Sequence, residues 1–229
     1  MNLKISGLDD YLFHSEGLID FVVIETELQQ LNDYAVLVTE SVHKQLNDKK
    51  KLLKEYKAGE KKAIVSENDN LETEDRWMVG QDFTDDHKTI LDEEILDWKT
   101  NVGFITPSMI LVLLYFLTEK SLKNLCYSFS EGEGEYVVPA GKRFKIKNNK
   151  NESLIEANIR YLKEKCNFNF QIDEKIISLL YQCNKIRNNF AHGDWINVEE
   201  DIVKIDLASA FKAISSLFRS IEQGAPSKN

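Results

Sequence analysis

Apolar residues recur at spacings of three and four along most of the chain, which is the periodicity of amphipathic helices. Residues 15–57 show this pattern and predict one long helix or two consecutive ones, with Ser15 as the N-cap. Thr106-Pro107 is typical of a helix start, because proline is favoured at the first helical position. The pattern predicts further helices at residues 107–129, 152–165, 173–192 and 207–222.

The remaining stretches are less regular. Residues 58–98 combine a loop-like segment at 66–70 with one short helical pattern, and they predict an acidic, loop-rich insertion at about 58–100. We expect a loop or small hairpin at 136–150 and a short extended pair at 195–205. The sequence therefore predicts an all-α bundle of about five to six helices, forming a single domain over residues 1–229.

Composition narrows the class of protein. The chain is 42% hydrophobic and contains only three prolines and ten glycines, which favours a folded helical protein. Its longest apolar run covers residues 109–117, whereas a membrane-spanning helix needs about 20 residues. The start of the sequence lacks the features of a secretory signal. We therefore expect a cytoplasmic protein that does not enter a membrane.

Cysteine and histidine are sparse and scattered. The three cysteines and four histidines show no metal-ligand spacing, and the cysteines have the pattern of reduced cytosolic thiols. They are Cys126, Cys166, Cys183, His14, His43, His87 and His192. The sequence predicts neither a metal site nor a cofactor.

The net charge of −9 argues against a protein that coats nucleic acid. Two stretches, residues 44–62 and 142–150, are locally basic, although each alone is typical of a solvated helix face or loop. If the protein binds RNA, we expect it to use a local basic cleft.

Candidate chemistry lies in Arg187-Asn188-Asn189-Phe190-Ala191-His192-Gly193. Arginine binds phosphate oxygens, histidine transfers protons near neutral pH, and Asn188 can orient either group. Residues five apart on a helix point about 140° from each other. Arg187 and His192 therefore converge on one ligand only if the helix ends or distorts near His192, which Gly193 permits, or if a second copy supplies one of them. The alternative is ordinary capping of a helix C-terminus.

This segment resembles the motif of HEPN domains, in which Arg-Asn-x-x-Ala-His-Gly is a common form. The resemblance covers residues 107–222: the motif ends a helix, and a short connection and a final amphipathic helix follow. The earlier helix that carries Glu119 is similar to the second HEPN helix, where an acidic or polar residue often faces the motif. The alternative for Glu119 is a surface glutamate paired with Lys123.

The resemblance implies a helical bundle, commonly a homodimer in which both motifs line a shared cleft. Many such proteins are metal-independent endoribonucleases of toxin–antitoxin and anti-phage systems. We accordingly expect cleavage of tRNA or mRNA by attack of the ribose 2′-hydroxyl, with Arg187, Asn188, His192 and Glu119 as site residues. An antitoxin or a defence-system protein would be the partner.

Some relatives in this superfamily are modified by a nucleotidyltransferase on a tyrosine two places after the histidine. Asp194 stands there in this chain, which argues against control by that partner. Two other hypotheses remain open. One is a non-catalytic module that binds RNA, a nucleotide or a protein. The other is a structural subunit in which Arg187 and His192 only stabilise a helix end.

Overall fold

The computed structural model describes residues 12–68, 81–130, 136–140, 143–150 and 152–226, with side chains described for all of these except 59–68 and 81–88. Every regular element in these ranges is helical, and α2 and α3 join into one continuous helix through the π-helix Asn101–Ile105. The six resulting helices confirm the predicted all-α class. The α-helical segments are α1 (Ile19–Asn68), α2 (Gln81–Thr100), α3 (Thr106–Ser128), α4 (Leu154–Lys165), α5 (Glu174–His192), α6 (Trp195–Ile202) and α7 (Leu207–Gln223).

The chain forms two compact units. One combines Met1–Val36 with Pro107–Asn229, and the other is Leu37–Thr106. In the second unit, Leu46, Ile95 and Val102 form a small buried core, and Lys49 donates to the Glu94 carboxylate across 2.6 Å. The expectation of a single domain over residues 1–229 stays a prediction.

The predicted loop-rich character of the insertion at about 58–100 is wrong for its described residues. α1 continues to Asn68 and α2 covers Gln81–Thr100, so the segment expected to be a loop at 66–70 is helical as far as residue 68. Residues 69–80 lie outside the described part of the chain. The physical reason for the longer α1 is the abundance of lysine, glutamate and alanine after residue 57, all good helix formers.

The α-helix α3 begins at Thr106, close to the predicted start, but the predicted N-cap role of Thr106 is wrong, because the chain is already helical before it. Thr106 has helical dihedral angles, φ −60° and ψ −51°, and its N–H donates to the Asn101 carbonyl five residues back. Proline lacks an N–H and clashes with the preceding turn of a regular α-helix. The wider π-turn just before Pro107 accommodates this residue without ending the helix.

The core of the first unit lies around α3 and α7. Four leucines of α3 expose at most 1% of their surface to solvent, namely Leu111, Leu114, Leu122 and Leu125. Each such side chain contributes about 1.5–3 kcal/mol of hydrophobic stabilisation. α7 buries four equally inaccessible residues, namely Phe211, Leu217, Phe218 and Ile221.

The segment before α1 packs onto this core. The Phe13 ring stacks on the Phe218 ring with centroids 6.2 Å apart, and the Ser15 hydroxyl donates to the Glu222 carboxylate across 2.6 Å. Ser15 is therefore not the N-cap of α1, which begins at Ile19. The longer-range bond to Glu222 replaces the local capping bond that the sequence predicted.

A helical stretch within Thr89–Ser128 is long and apolar enough to cross a membrane, judged by length and composition alone. The central helix of a water-soluble fold meets the same criteria. Leu111 and Leu122 of this stretch are completely buried within the first unit. The expectation of a cytoplasmic protein outside the membrane stays a prediction.

α5 begins and ends as its sequence predicts. Asp173 caps the start by accepting from the Lys175 N–H, and Gly193 ends the helix in the left-handed conformation at φ 72°. The predicted extended pair at 195–205 is wrong, because Trp195–Ile202 forms helix α6 with Asp194 as its N-cap. The capping aspartate and the burial of Val198 and Ile202 favour a short helix here over a strand.

Gly193→Ala is expected to lower the free energy of unfolding by about 1 kcal/mol, since a side chain disfavours the left-handed conformation by this order. Chemical denaturation monitored by circular dichroism measures the change. Gly103→Ala is the control, because Gly103 has no positive φ and no atom lies within 4 Å of the added Cβ. Equal stability of Gly193→Ala and the native chain would contradict the assigned role of Gly193.

Candidate functional site

Arg187 is the centre of the candidate site. It lies half-buried in the penultimate turn of α5, with its guanidinium 5.1 Å from the centre of the Phe116 ring on α3. Its Nη1 donates to the Asn188 side-chain oxygen across 2.8 Å. The aromatic face and the amide together restrict the guanidinium to one orientation.

The positive charge of Arg187 is not neutralised by a direct ion pair. Among the described residues no carboxylate forms a salt bridge with it, and its Nε is buried without a hydrogen-bond acceptor. A buried donor without a partner is energetically costly. A guanidinium without a carboxylate partner among the described residues has the chemistry to bind a phosphate group.

Glu119 of α3 lies close enough to Arg187 to interact with it electrostatically. Burial raises the pKa of the Glu119 carboxyl, and the charges of Arg187 and Lys123 act in the opposite direction. Within the described part of the chain, Glu119 forms no ion pair with Lys123. Glu119 therefore lies within electrostatic range of Arg187, and its role as a site residue stays a prediction.

Tyr115 completes the polar cluster between α3 and α5. Burial raises the pKa of the Tyr115 phenol to about 12, with a further increase from Glu119 and a decrease from Arg187. Tyr115 is only 3% exposed, so its phenol is largely shielded from solvent.

His192 does not join this cluster within one chain. It is the last residue of α5 and is exposed, and no hydrogen bond or ion pair links it to the other described residues. Because α5 remains α-helical through residue 192, the Arg187 and His192 side chains point about 140° apart. The distortion that would let them converge within one chain is not found.

A groove of about 640 Å³ adjoins the Arg187 cluster. It shares Phe116 and Glu119 with that cluster, and its volume is typical of small-molecule sites. Its walls combine apolar side chains with two carboxylates and two ammonium groups. The lining residues are Glu27, Leu31, Leu113, Phe116, Leu117, Glu119, Lys120, Lys123, Asn124 and Val138.

Phe116 and Tyr115 were not predicted as site residues, because both lie in an apolar run that predicts only a buried helix. One signal was present. Phe116 precedes Glu119 by three residues, so the two lie on the same helix face. An aromatic residue three positions before a candidate carboxylate is therefore a reason to extend a predicted site.

The cysteines offer no reactive thiolate. Burial raises the pKa of the Cys166 thiol to about 11 and that of the Cys183 thiol to about 12, which keeps both protonated near neutral pH. In the described ranges no three His, Cys, Asp or Glu side chains are grouped as metal ligands.

Comparison with protein-family models, curated proteins and solved structures finds no match to this chain. Its chemistry is therefore inferred from the site itself. The cluster offers an oriented cation for an anionic group and a nearby carboxylate whose pKa is raised by burial.

Glu119→Gln is expected to raise the melting temperature by about 1–2 °C near neutral pH, a small effect because the carboxyl is only half-buried. Because the pKa of Glu119 is raised in the folded state, its contribution to the stability of the fold is fully present below the ordinary glutamate pKa. That contribution is lost as the pH rises through the raised pKa. Glutamine remains neutral and avoids that loss. Thermal denaturation at several pH values checks this, and the gain should vanish in acid.

Glu199→Gln is the matched control, since Glu199 is exposed on α6. It should change the melting temperature little at every pH. A lower melting temperature for Glu119→Gln at neutral pH would show that the carboxylate stabilises the fold through Arg187, contrary to the expectation.

Proposed function

We propose that this protein is an endoribonuclease of the HEPN type, which cleaves RNA by transesterification without a metal and acts as a toxin or anti-phage effector. The observation that carries the proposal is the Arg187 guanidinium, which is held over Phe116, forms no salt bridge with any carboxylate that the structure describes, and lies near Glu119. The Arg-Asn-x-x-Ala-His-Gly segment at 187–193 supports it.

The proposed reaction begins when a base removes the proton from a ribose 2′-hydroxyl. Glu119 is the candidate base, since its raised pKa lies closer to neutral pH than that of an ordinary glutamate. The 2′-oxygen forms a bond to phosphorus while the bond from phosphorus to the 5′-oxygen breaks. Arg187 stabilises the added negative charge. His192 gives a proton to the leaving 5′-oxygen, so the products are a 2′,3′-cyclic phosphate and a 5′-hydroxyl.

In our proposal, the His192 that reaches this phosphate belongs to a second copy of the chain. Within one chain the His192 and Arg187 side chains point away from each other on α5. A two-fold axis would pair Arg187 of each copy with His192 of the other. Exposed apolar residues near the motif support such an interface: Trp195 is 50% exposed and Ile196 is 74% exposed. The proposed enzyme is therefore a homodimer.

The test is incubation of the purified protein with tRNA and mRNA in the presence of EDTA. We expect cleavage fragments that end in 2′,3′-cyclic phosphates, and we expect His192→Ala to abolish them without unfolding the chain. His14→Ala is the matched control, because His14 is a strongly exposed histidine outside the motif. Cleavage that requires added metal, or that survives loss of His192, would refute the proposed mechanism.

A toxin or defence effector should also arrest growth when overexpressed, and His192→Ala should relieve the arrest. An antitoxin or a defence-system partner would be the protein that suppresses this effect in the native host. Normal growth with abundant, folded native protein would count against the effector role.

The second candidate is a non-catalytic module that binds RNA, a nucleotide or a protein. The divergence of His192 from Arg187 within one chain favours it, as does the net charge of −9. This candidate predicts binding of RNA without fragments. In that case Arg187→Ala lowers affinity alone.

A further inference from the structure

Residues 143–149, which we call the basic segment, lie between α3 and α4 and contain no helix, turn or bend. Three of their side chains are exposed, namely Arg143, Lys145 and Lys147. Between them, Phe144 is buried and Ile146 is partly buried. Alternation of exposed and buried side chains at every second residue is the period of an extended chain. The basic segment is therefore extended, with its cations on the outer face.

The inner face of the basic segment is fixed to the first unit by aromatic packing. The Phe144 ring meets the Tyr127 and Tyr161 rings edge to face, with centroids 5.6 Å and 5.9 Å apart. These contacts join the segment to α3 and α4. A segment held in this way loses little conformational freedom when a partner binds to it.

One edge of the basic segment is hydrogen-bonded to the protein through its odd-numbered residues. Arg160 Nη2 donates to the Lys147 carbonyl across 2.9 Å. The Asn149 N–H donates to the Glu152 carboxylate across 2.7 Å. In an extended chain the backbone groups of alternate residues point to the same edge, so the odd-numbered residues face Arg160 and Glu152.

The opposite edge of the basic segment carries the backbone groups of Phe144 and Ile146. Residues 143–148 form no hydrogen bond with another backbone group in the described part of the chain. An extended edge with unpaired N–H and C=O groups is a template on which a further strand can pair.

The charges of the basic segment are available to a partner. Arg143, Lys145 and Lys147 form no ion pair with a carboxylate that the structure describes. Their sign is opposite to the net charge of −9 of the whole chain. Side chains two residues apart on an extended chain are separated by about 7 Å, and a second extended chain has the same spacing. Carboxylates at every second residue of that chain would therefore match the three cations.

We propose that the basic segment binds an extended acidic segment of a partner protein, which is added to the free edge as a β-strand. The partner backbone pairs with the Phe144 and Ile146 groups, and its alternate carboxylates contact the three cations. A nucleic-acid strand matches the edge less well, because its phosphate oxygens only accept hydrogen bonds and leave the carbonyls of the edge unpaired. The proposal does not depend on the nuclease activity proposed above.

The test is fluorescence anisotropy of the full chain with a short labelled peptide of alternating glutamate and threonine. Native protein should bind this peptide. Lys145→Glu should weaken binding by roughly tenfold or more, because it places like charges opposite each other. Lys57→Glu is the matched control, since it changes the net charge equally at an exposed lysine of α1 that forms no ion pair in the described ranges. It should leave the affinity unchanged.

A second measurement tests the backbone pairing separately from the charge. The same peptide with every peptide nitrogen methylated keeps its carboxylates but has no N–H donor, so it should bind much more weakly. Hydrogen exchange followed by NMR should show that the bound peptide protects the Phe144 and Ile146 amides and leaves the Lys145 amide unchanged.

Several results would overturn the proposal. Absence of peptide binding, or equal binding of the methylated and unmethylated peptides, would exclude strand addition. Tighter binding of a labelled oligouridylate that is lost in Lys145→Glu would assign the basic segment to RNA instead. Conversion of a dimer to a monomer by Lys145→Glu would assign it to contacts between copies of this chain. Protection of the Phe144 and Ile146 amides in the free protein would show that the edge is already occupied.

Discussion

Arg187→Ala is expected to lower the rate of RNA cleavage by about 10²–10³-fold, the usual cost of removing one donor that stabilises transition-state charge. The guanidinium is restrained by Phe116 and Asn188, so it needs little reorganisation when charge develops on the phosphate. The substitution should change stability by only about 1 kcal/mol, because it removes one cation–π contact and one hydrogen bond. Single-turnover cleavage and thermal denaturation measure the two effects separately.

Arg187→Lys is the matched variant that keeps the positive charge. Lysine cannot donate in bidentate fashion and does not stack in the same plane on Phe116. We therefore expect it to recover only part of the lost rate. Full activity of Arg187→Ala would refute a catalytic role for this residue, whereas a large loss of stability in both variants would indicate a structural one.

Helices α4, α5 and α7 of the first unit were predictable because their signals are local. Asp173, Ser153 and Gly193 specify helix ends through bonds to neighbouring backbone groups. The apolar stripe of residues 207–222 likewise determines which face of α7 is buried. Patterns of this kind depend on a few consecutive residues, so a single sequence contains them in full.

Two of the errors arise where a distant or unusual contact overrides a local signal. Proline is common in the first turn of helices, but here a π-turn lets the helix continue past Pro107. Ser15 has the chemistry of an N-cap, but Glu222 binds its hydroxyl. Neither the π-turn nor a hydrogen-bond partner some two hundred residues away produces a periodic pattern in the sequence.

The candidate site was predictable in its residue types and only partly in its geometry. The motif identified Arg187, and the resemblance suggested that Glu119 faces it. No spacing rule relates residues on α3 and α5, since their proximity depends on the packing of two helices. The position of His192 did follow from helix periodicity, because an undistorted α5 separates it from Arg187 by about 140°.

That separation leads to the second large effect, which is recovery of activity when two inactive variants are mixed. If Arg187 acts with His192 of a second copy, a dimer of one Arg187→Ala chain and one His192→Ala chain contains one site with both residues intact. After random exchange of subunits, half of the dimers contain one chain of each variant. Each of these mixed dimers has one working site out of two. The mixture should therefore show about one quarter of native activity.

A site within one chain predicts no recovery, since every chain in the mixture lacks one of the two residues. The measurement is RNA cleavage after the variants are unfolded together and refolded, or co-expressed with different tags and purified through both. The Arg187→Ala/His192→Ala double variant mixed equally with native protein is the control. Its mixed dimers have no intact shared site, so only the native dimers act and about one quarter of native activity remains, whereas sites within single chains would leave about one half. Recovery in the first mixture together with about one quarter in the control would show that the two side chains act across a two-fold axis, and no recovery in the first mixture would refute the shared site.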